Sequence, residues 1–233
     1  MSTANGANEP AGGPGKAAGA CAPDGSPVEL YARLAAGDEP GIIHDAVAPG
    51  ARLLELGCGA GRIAHALMEL GHPVVAVDNS PEMLEHVHGA ERVLADIREL
   101  DLGRTFAGVV LASNLVNCVD AATRAAMLAC CRRHVAPDGC VLVQRLAPDG
   151  VLTIEEGAWM RGAWRFHLTS LVRRGNVFAA TMMYELGERR WLHSFEAEML
   201  RDEETDAALA AAGLRRAAFL DDKRAWVKAV AAG

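Results

Sequence analysis

The chain has 233 residues, 51% of them hydrophobic, and a formal net charge of −7. That length and apolar share suit one large domain with a full core, and the acidic balance argues against a broad surface for nucleic-acid phosphates. Six cysteines occur without a CxxC pair, and Cys130 and Cys131 are adjacent. They read as reduced thiols of a cytoplasmic protein, several of them filling core positions. No apolar run has the length needed to cross a bilayer, and the start of the chain lacks the apolar centre of a secretory signal, so no membrane partner is expected.

In chain order, residues 1–27 come first, and seven Ala, six Gly and four Pro make up 17 of those 27. Little there can offset the entropy of ordering, so a disordered tail is expected, followed by a single domain over 28–233. "PVELYARLAAG" opens that domain as a helix, with Pro27 at its first turn. From Arg52 to Arg145, short apolar runs ("RLLEL", "PVVAV", "RVLAD", "GVVLAS", "CVLVQ") alternate with helical segments. Continuous apolar runs suit strands covered on both faces, and their alternation with helices predicts βαβ units in a doubly wound α/β sheet. Gly71 stops the first of these helices. Asp120 caps the last, whose final turn carries Arg132, Arg133 and His134. Right-handed crossovers bring the carboxyl ends of the strands to one edge, where ligands bind.

The first strand runs into "GCGAG", with glycines at 57, 59 and 61. Glycine in that number stabilises nothing by its own packing, so a ligand close to the backbone is implied. A dinucleotide turn needs glycine at position 62, which is Arg62. The pattern is instead E-x-G-x-G-x-G from Glu55 to Gly61, and an acid there repels pyrophosphate and welcomes a cation. At this point the chain resembles the class I S-adenosylmethionine-dependent methyltransferases. The resemblance implies a Rossmann-like sheet of seven strands, the last pair antiparallel, in the order 3-2-1-4-5-7-6. It also implies that S-adenosylmethionine is the cofactor and S-adenosylhomocysteine the product. Glu55 would lie near the cofactor's amino group and Gly57, Gly59 and Gly61 along its methionine and ribose parts. Asp78 would accept both ribose hydroxyls, while Asp96 and Ile97 would meet the adenine. Tyr31, Asn79, Met83, Ser113 and Asn114 are placed with the cofactor on the same ground.

Residues 113–116 lack the N/D-P-P-Y segment of enzymes that methylate adenine or glutamine nitrogens. Ser113, Asn114, Gln144 and Arg145 stand where catechol-type enzymes hold magnesium, so no metal is expected. Between Trp159 and Phe195 lie seven of the chain's eleven aromatic residues. Three antiparallel strands near 158–171, 176–186 and 189–198 are expected there, within a β lid spanning 155–198. This lid would shield an acceptor with Trp159, Trp164 and Phe166, or else carry a homodimer contact, the chain otherwise being a monomer. His193 and His167 are the candidate general bases, with Tyr184 beside them, and Asn117 and Arg145 the candidate acceptor contacts. The function so implied is metal-free, in-line methyl transfer to a nitrogen, oxygen or carbon of a small molecule, of the kind made in bacterial secondary metabolism. Alternatives are a cofactor-binding subunit without turnover, a protein methyltransferase and, disfavoured by Glu55 and Arg62, a nicotinamide oxidoreductase. The chain ends as a helix stopped by Gly213 and a hairpin over "RRAAFLDDKRAWVKAV".

Overall fold

The structure, a computed structural model, describes residues 20–149 and 155–233. Residues 1–19 of the expected tail lie outside the described residues. Five strands, β1 (Leu53–Leu56), β2 (Val74–Asp78), β3 (Glu91–Leu94), β4 (Phe106–Leu111) and β5 (Val135–Gln144), pair in parallel. Four antiparallel strands follow: β6 (Gly157–Arg161), β7 (Trp164–Arg174), β8 (Val177–Leu186) and β9 (Arg189–Glu198). The closing hairpin, β10 (Leu214–Phe219) and β11 (Trp226–Ala231), returns to the main sheet, which reads β3-β2-β1-β4-β5-β11-β10 with β11 antiparallel to β5. This is the order expected from the resemblance.

Among the described residues the sheets are accompanied by α1 (Val28–Arg33), α2 (Glu39–Ala46), α3 (Arg62–Glu69), α4 (Pro81–Leu84), α5 (Ala121–His134) and α6 (Asp202–Ala211). Successive strand residues point to opposite faces. Leu54, Leu56, Val75 and Val77 therefore pack in one core with Met127 and Leu128 of α5 and Leu209 of α6. Leu53, Val74 and Ala76 pack in another, with Ile43 of α2 and Ile63 and Leu67 of α3. By the same alternation Glu55 lies on the α2–α3 side. The Asp120 carboxylate accepts the amides of Ala122 and Thr123 at 3.4 and 2.9 Å, the cap read from the sequence.

Two expectations are corrected. Residues 20–27 are not a disordered tail. Ala22–Gly25 form a turn closed by the Gly25 amide on the Ala22 carbonyl (2.8 Å), and Cys21 bridges Pro27. Pro, Asp and Gly are the residues such a turn needs, and Gly25 takes φ +87°. Further on, the strand expected over 158–171 is two strands, because Gly162 (φ +59°) reverses the chain between β6 and β7.

Register decides which lid side chains face the domain. On β7–β8 the pairing runs Arg174↔Val177 to Val172↔Ala179, then slips by one to Thr169↔Thr181. The slip is a bulge at Ser170, whose φ is +55°. The Leu171 amide it leaves unpaired donates to Glu156 at 2.6 Å. Beyond the bulge, Trp159, Phe166, Tyr184 and Trp191 stand in one cross-strand row, with Leu168, Met182 and His193 in the next. That face is the buried one: Leu168, Phe178 and Trp191 are at most 2% exposed.

Candidate functional site

At the carboxyl ends of β1, β2 and β4 the chain encloses a cavity of about 390 Å³. Its wall includes Gly57, Cys58 and Gly59 after β1, Asp78 and Asn79 at the end of β2, and Met83 on α4. Asp96, Ile97 and Arg98 after β3, Ser113 and Leu115 after β4, and Thr123 and Met127 of α5 continue it. The lining also includes Ala22, Asp24, Ser26 and Tyr31 from the N-terminal segment, Arg62 of α3 and His193 of β9.

The turn needs its glycines for different reasons. At Gly57, with φ +72°, a Cβ would fall 2.5 Å from Leu115 Cδ1, so that side chain would have to move. Gly61 caps α3 in the left-handed region, and a Cβ there would lie 3.1 Å from both His65 and Val87. It lies outside the cavity lining, so its requirement is packing. Asp78 ties the turn after β1 to the end of β2: its Oδ2 accepts the Gly59 amide (2.8 Å) and its Oδ1 accepts the Ser80 amide (2.9 Å). Each carboxylate oxygen keeps a further lone pair. Ser80, not Asp78, caps α4 by accepting the Met83 amide, as the sequence suggested. Burial pushes the Asp78 carboxyl above its ordinary value, despite the Ser80 and Gly59 amides that favour its charge.

Glu55 lies off the cavity wall, 2% exposed, and its Oε2 has no hydrogen-bond partner. Burial pushes its carboxyl up to about 8; Arg62 opposes this and Asp78 adds to it. Arg62 itself is held by Glu39 at 2.7 Å and reaches the Ser113 hydroxyl at 3.3 Å. Asp96 lines the cavity but is clasped by Arg98, whose Nε lies 2.9 Å from Oδ1 and whose backbone amide also donates to Oδ1. Cys58 is buried, and burial raises its thiol well above the usual range, so it is not a thiolate nucleophile.

Tyr31, Gly57, Gly59, Asp78, Asn79, Met83, Asp96, Ile97 and Ser113 thus meet at the cavity, as expected of cofactor contacts. Asn114 does not; it takes a left-handed turn with Ser113 and its carbonyl accepts the Asn117 amide.

On the acceptor side only His193 lines the cavity, with its Nδ1 3.2 Å from the Tyr31 hydroxyl. Burial lowers its imidazole pKa, so the ring is neutral at neutral pH. Tyr184 is buried beside Tyr31, and burial keeps its phenol protonated. His167 is a correction: it pairs with Ala158 and Met183, on the opposite face of the sheet from His193. Arg145 and Asn117 are also corrected. Arg145, 1% exposed, is bonded to the Thr205 hydroxyl (2.7 Å), the Leu200 and Arg224 carbonyls and Asp202. Asn117, equally buried, bridges the Glu198 carbonyl and the Leu146 amide. Both satisfy buried backbone rather than face an acceptor. Trp159, Trp164 and Phe166 stand outside the cavity lining, Trp159 stacked on Phe166 with ring centroids 5.6 Å apart.

Sequence reasoning missed Ala22, Asp24, Ser26, Arg62 and Arg98 as wall residues. The signal for the first three was the turn sequence "PDGS". Among the described residues no group of three or more His, Cys, Asp or Glu is arranged to hold a metal ion, and no helix is long and apolar enough to cross a membrane.

The site's chemistry suits S-adenosylmethionine: a backbone-lined glycine turn, an acid with spare acceptors at the end of β2, apolar Ile97, Leu115 and Met83 around it, and a buried carboxyl with one oxygen unbonded. Residues 53–139 match a family described as a methyltransferase domain. A malonyl-[acyl-carrier protein] O-methyltransferase of Pectobacterium atrosepticum is 33% identical over 116 residues, which are 48% of this chain and 45% of that protein. The chain thus aligns with less than half the length of that curated relative. Among solved structures, an S-adenosylmethionine-bound amino pentose methyltransferase of Micromonospora echinaspora, involved in calicheamicin biosynthesis, is 25% identical with a TM-score of 0.68, covering 86% of this chain and 94% of that one. A sugar N-methyltransferase of a Streptoalloteichus species shares the fold at 21% identity and a TM-score of 0.68, covering 99% of this chain and 100% of that one. Domain match and fold agree: residues 53–139 match a methyltransferase domain, and the chain has the fold of S-adenosylmethionine-dependent methyltransferases.

Proposed function

We propose that the protein methylates a small molecule, with an amine of an amino-sugar-like compound as the acceptor. The observation that carries this is one cavity whose lining holds both cofactor-type groups and a neutral imidazole, held by a tyrosine. The relative solved with S-adenosylmethionine, an amino pentose methyltransferase, supports the amine. When bound, the cofactor supplies a methyl group on a sulfonium, already activated for displacement.

Gly57 and Gly59 bring backbone to the ligand, Asp78 offers acceptors to a pair of hydroxyls, and Asp96 and Ile97 flank the remaining wall. Ile97, Leu115 and Met127 keep the cavity dry, and holding two reactants aligned in such a space contributes roughly 7–11 kcal/mol. His193 is neutral and so can accept a proton from an acceptor ammonium or hydroxyl. Tyr31 fixes the ring from α1, which ties the lid sheet to the domain. Glu29 of the same helix strengthens the tie by accepting from Trp191 Nε1 at 3.4 Å. A cytoplasmic location and metal-free transfer belong to the same reading. The outer lid face exposes Met160 (63%) and Leu192 (38%), which supports a homodimer through this sheet over a monomer; light scattering decides between them.

The test is transfer of labelled methyl from S-adenosylmethionine to amino sugars, matched hydroxy sugars and a protein extract. Label in the amines only is expected. Label confined to macromolecules overturns the reading, and cofactor binding without transfer to any acceptor would favour a non-catalytic subunit.

A further inference from the structure

Glu55 is the one buried side-chain polar group among the described residues with an oxygen left unbonded. It lies on β1 two residues before the first glycine of the cavity wall and is 2% exposed. The charged groups facing it come from three elements: Arg62 of α3, Asp78 of β2 and Glu39 of α2. Arg62 is the cation among them, and its guanidinium is already engaged by Glu39 at 2.7 Å. A second carboxylate beside Asp78, out of water and with only the Ala64 amide bonded to it, is costly, and a buried acid avoids that cost by keeping its proton. The turn beside it is therefore short of positive charge, and a ligand with a fixed cation would supply it. Charge acts through space at low dielectric, so the cation need not touch Glu55.

We propose that Glu55 is a proton-linked counter-charge for the cofactor: a neutral acid in the protein without ligand, it ionises when a ligand bearing a sulfonium and an ammonium occupies the glycine turn. The O–H bond of Glu55 breaks and its proton passes to solvent; no electrons move and no other reactant is needed. The inference rests on the cofactor reading above. It adds that binding and proton release are one event, so that affinity rises with pH for as long as the free protein holds that proton.

Titration calorimetry with S-adenosylmethionine, on the full chain and on Glu55→Gln, in two buffers of different ionisation enthalpy, tests this. At about pH 6.5 the parent should release close to one proton per ligand bound, and its affinity should rise up to about tenfold per pH unit between about pH 6 and 7. The Glu55→Gln protein should bind with no buffer dependence and a nearly flat pH profile. The ligand's own groups contribute equally to both proteins and cancel. Binding by the parent with no proton release, or the same release from both proteins, overturns the inference and leaves the cofactor reading standing. No heat and no thermal shift from either protein overturns both. Should Glu55→Gln fail to fold, the parent's proton count still decides. Near pH 6.5 the ligand's amine keeps its proton whether free or bound, so a count near zero refutes the linkage and a count near one upholds it.

Discussion

Gly57→Ala tests the tightest point of the glycine turn, and Gly50→Ala is its control. Both glycines have φ +72°, but a Cβ on Gly50 meets nothing within 4 Å, whereas one on Gly57 would sit 2.5 Å from Leu115 Cδ1. The left-handed conformation costs an L-residue about 1–2 kcal/mol, and the smaller entropy of an unfolded chain carrying Ala returns about 0.4–1 of it. Gly50→Ala should therefore lose about 1 kcal/mol or less. Gly57→Ala loses that and, because Leu115 packs against the main core, a further ~1–3 kcal/mol for overpacking. In a domain of this size each kcal/mol lowers Tm by about 2–4 °C, so the difference between the variants is visible in a thermal melt. Leu115→Ala should cost less in the Gly57→Ala background than in the parent, because the clash it relieves is absent from the parent. Equal melting of the two single variants would refute the argument from close approach.

The remaining predictions use other measurements. Arg145→Ala should lower unfolding free energy by about 1–3 kcal/mol, read by urea denaturation, because it takes a donor from the Thr205 hydroxyl and the Leu200 and Arg224 carbonyls while Asp202 keeps Arg224; an altered acceptor KM with unchanged stability would restore it to the acceptor site. The ligand-free protein should lose stability as pH rises from the ordinary carboxyl value of 4.5 towards about 8, since folded Glu55 keeps a proton that the unfolded chain gives up. Glu55→Gln should flatten that slope in melts taken across the range. His193→Ala should reduce kcat by about 10²-fold or more if the ring takes the proton, while His167→Ala should leave turnover unchanged.

The fold was readable because the parallel strands are short, largely apolar runs and helices between them carry their own start or stop, as at Asp120 and Gly71. The cofactor wall was readable for a related reason: Gly57, Gly59 and Asp78 stand at strand ends, where chain order alone brings them together. Other parts were hidden. Arg145 and Asn117 also end a strand or turn, and a buried backbone calls for such polar residues as strongly as an acceptor does, so position could not separate the two roles. "PDGS" was outweighed by the small, apolar-poor residues around it. The two lid histidines look equivalent in sequence, and only the register of three hairpins tells them apart.

That register hangs on Ser170. Continued without its bulge, the pairing begun at Arg174↔Val177 and Val172↔Ala179 would set position 167 opposite 184 instead of 183. His167 would then be Tyr184's neighbour on the inner face, and Trp164 and Phe166 would point to solvent. Flattening the bulge with every residue retained would thus rewrite the lining of the lid wholesale, whereas deleting Ser170 would only remove the extra residue and leave Thr169 opposite Thr181. For chains built on this plan, whether and where a strand places its extra residue offers a route to new acceptors that single substitutions in the lining would need many steps to reach.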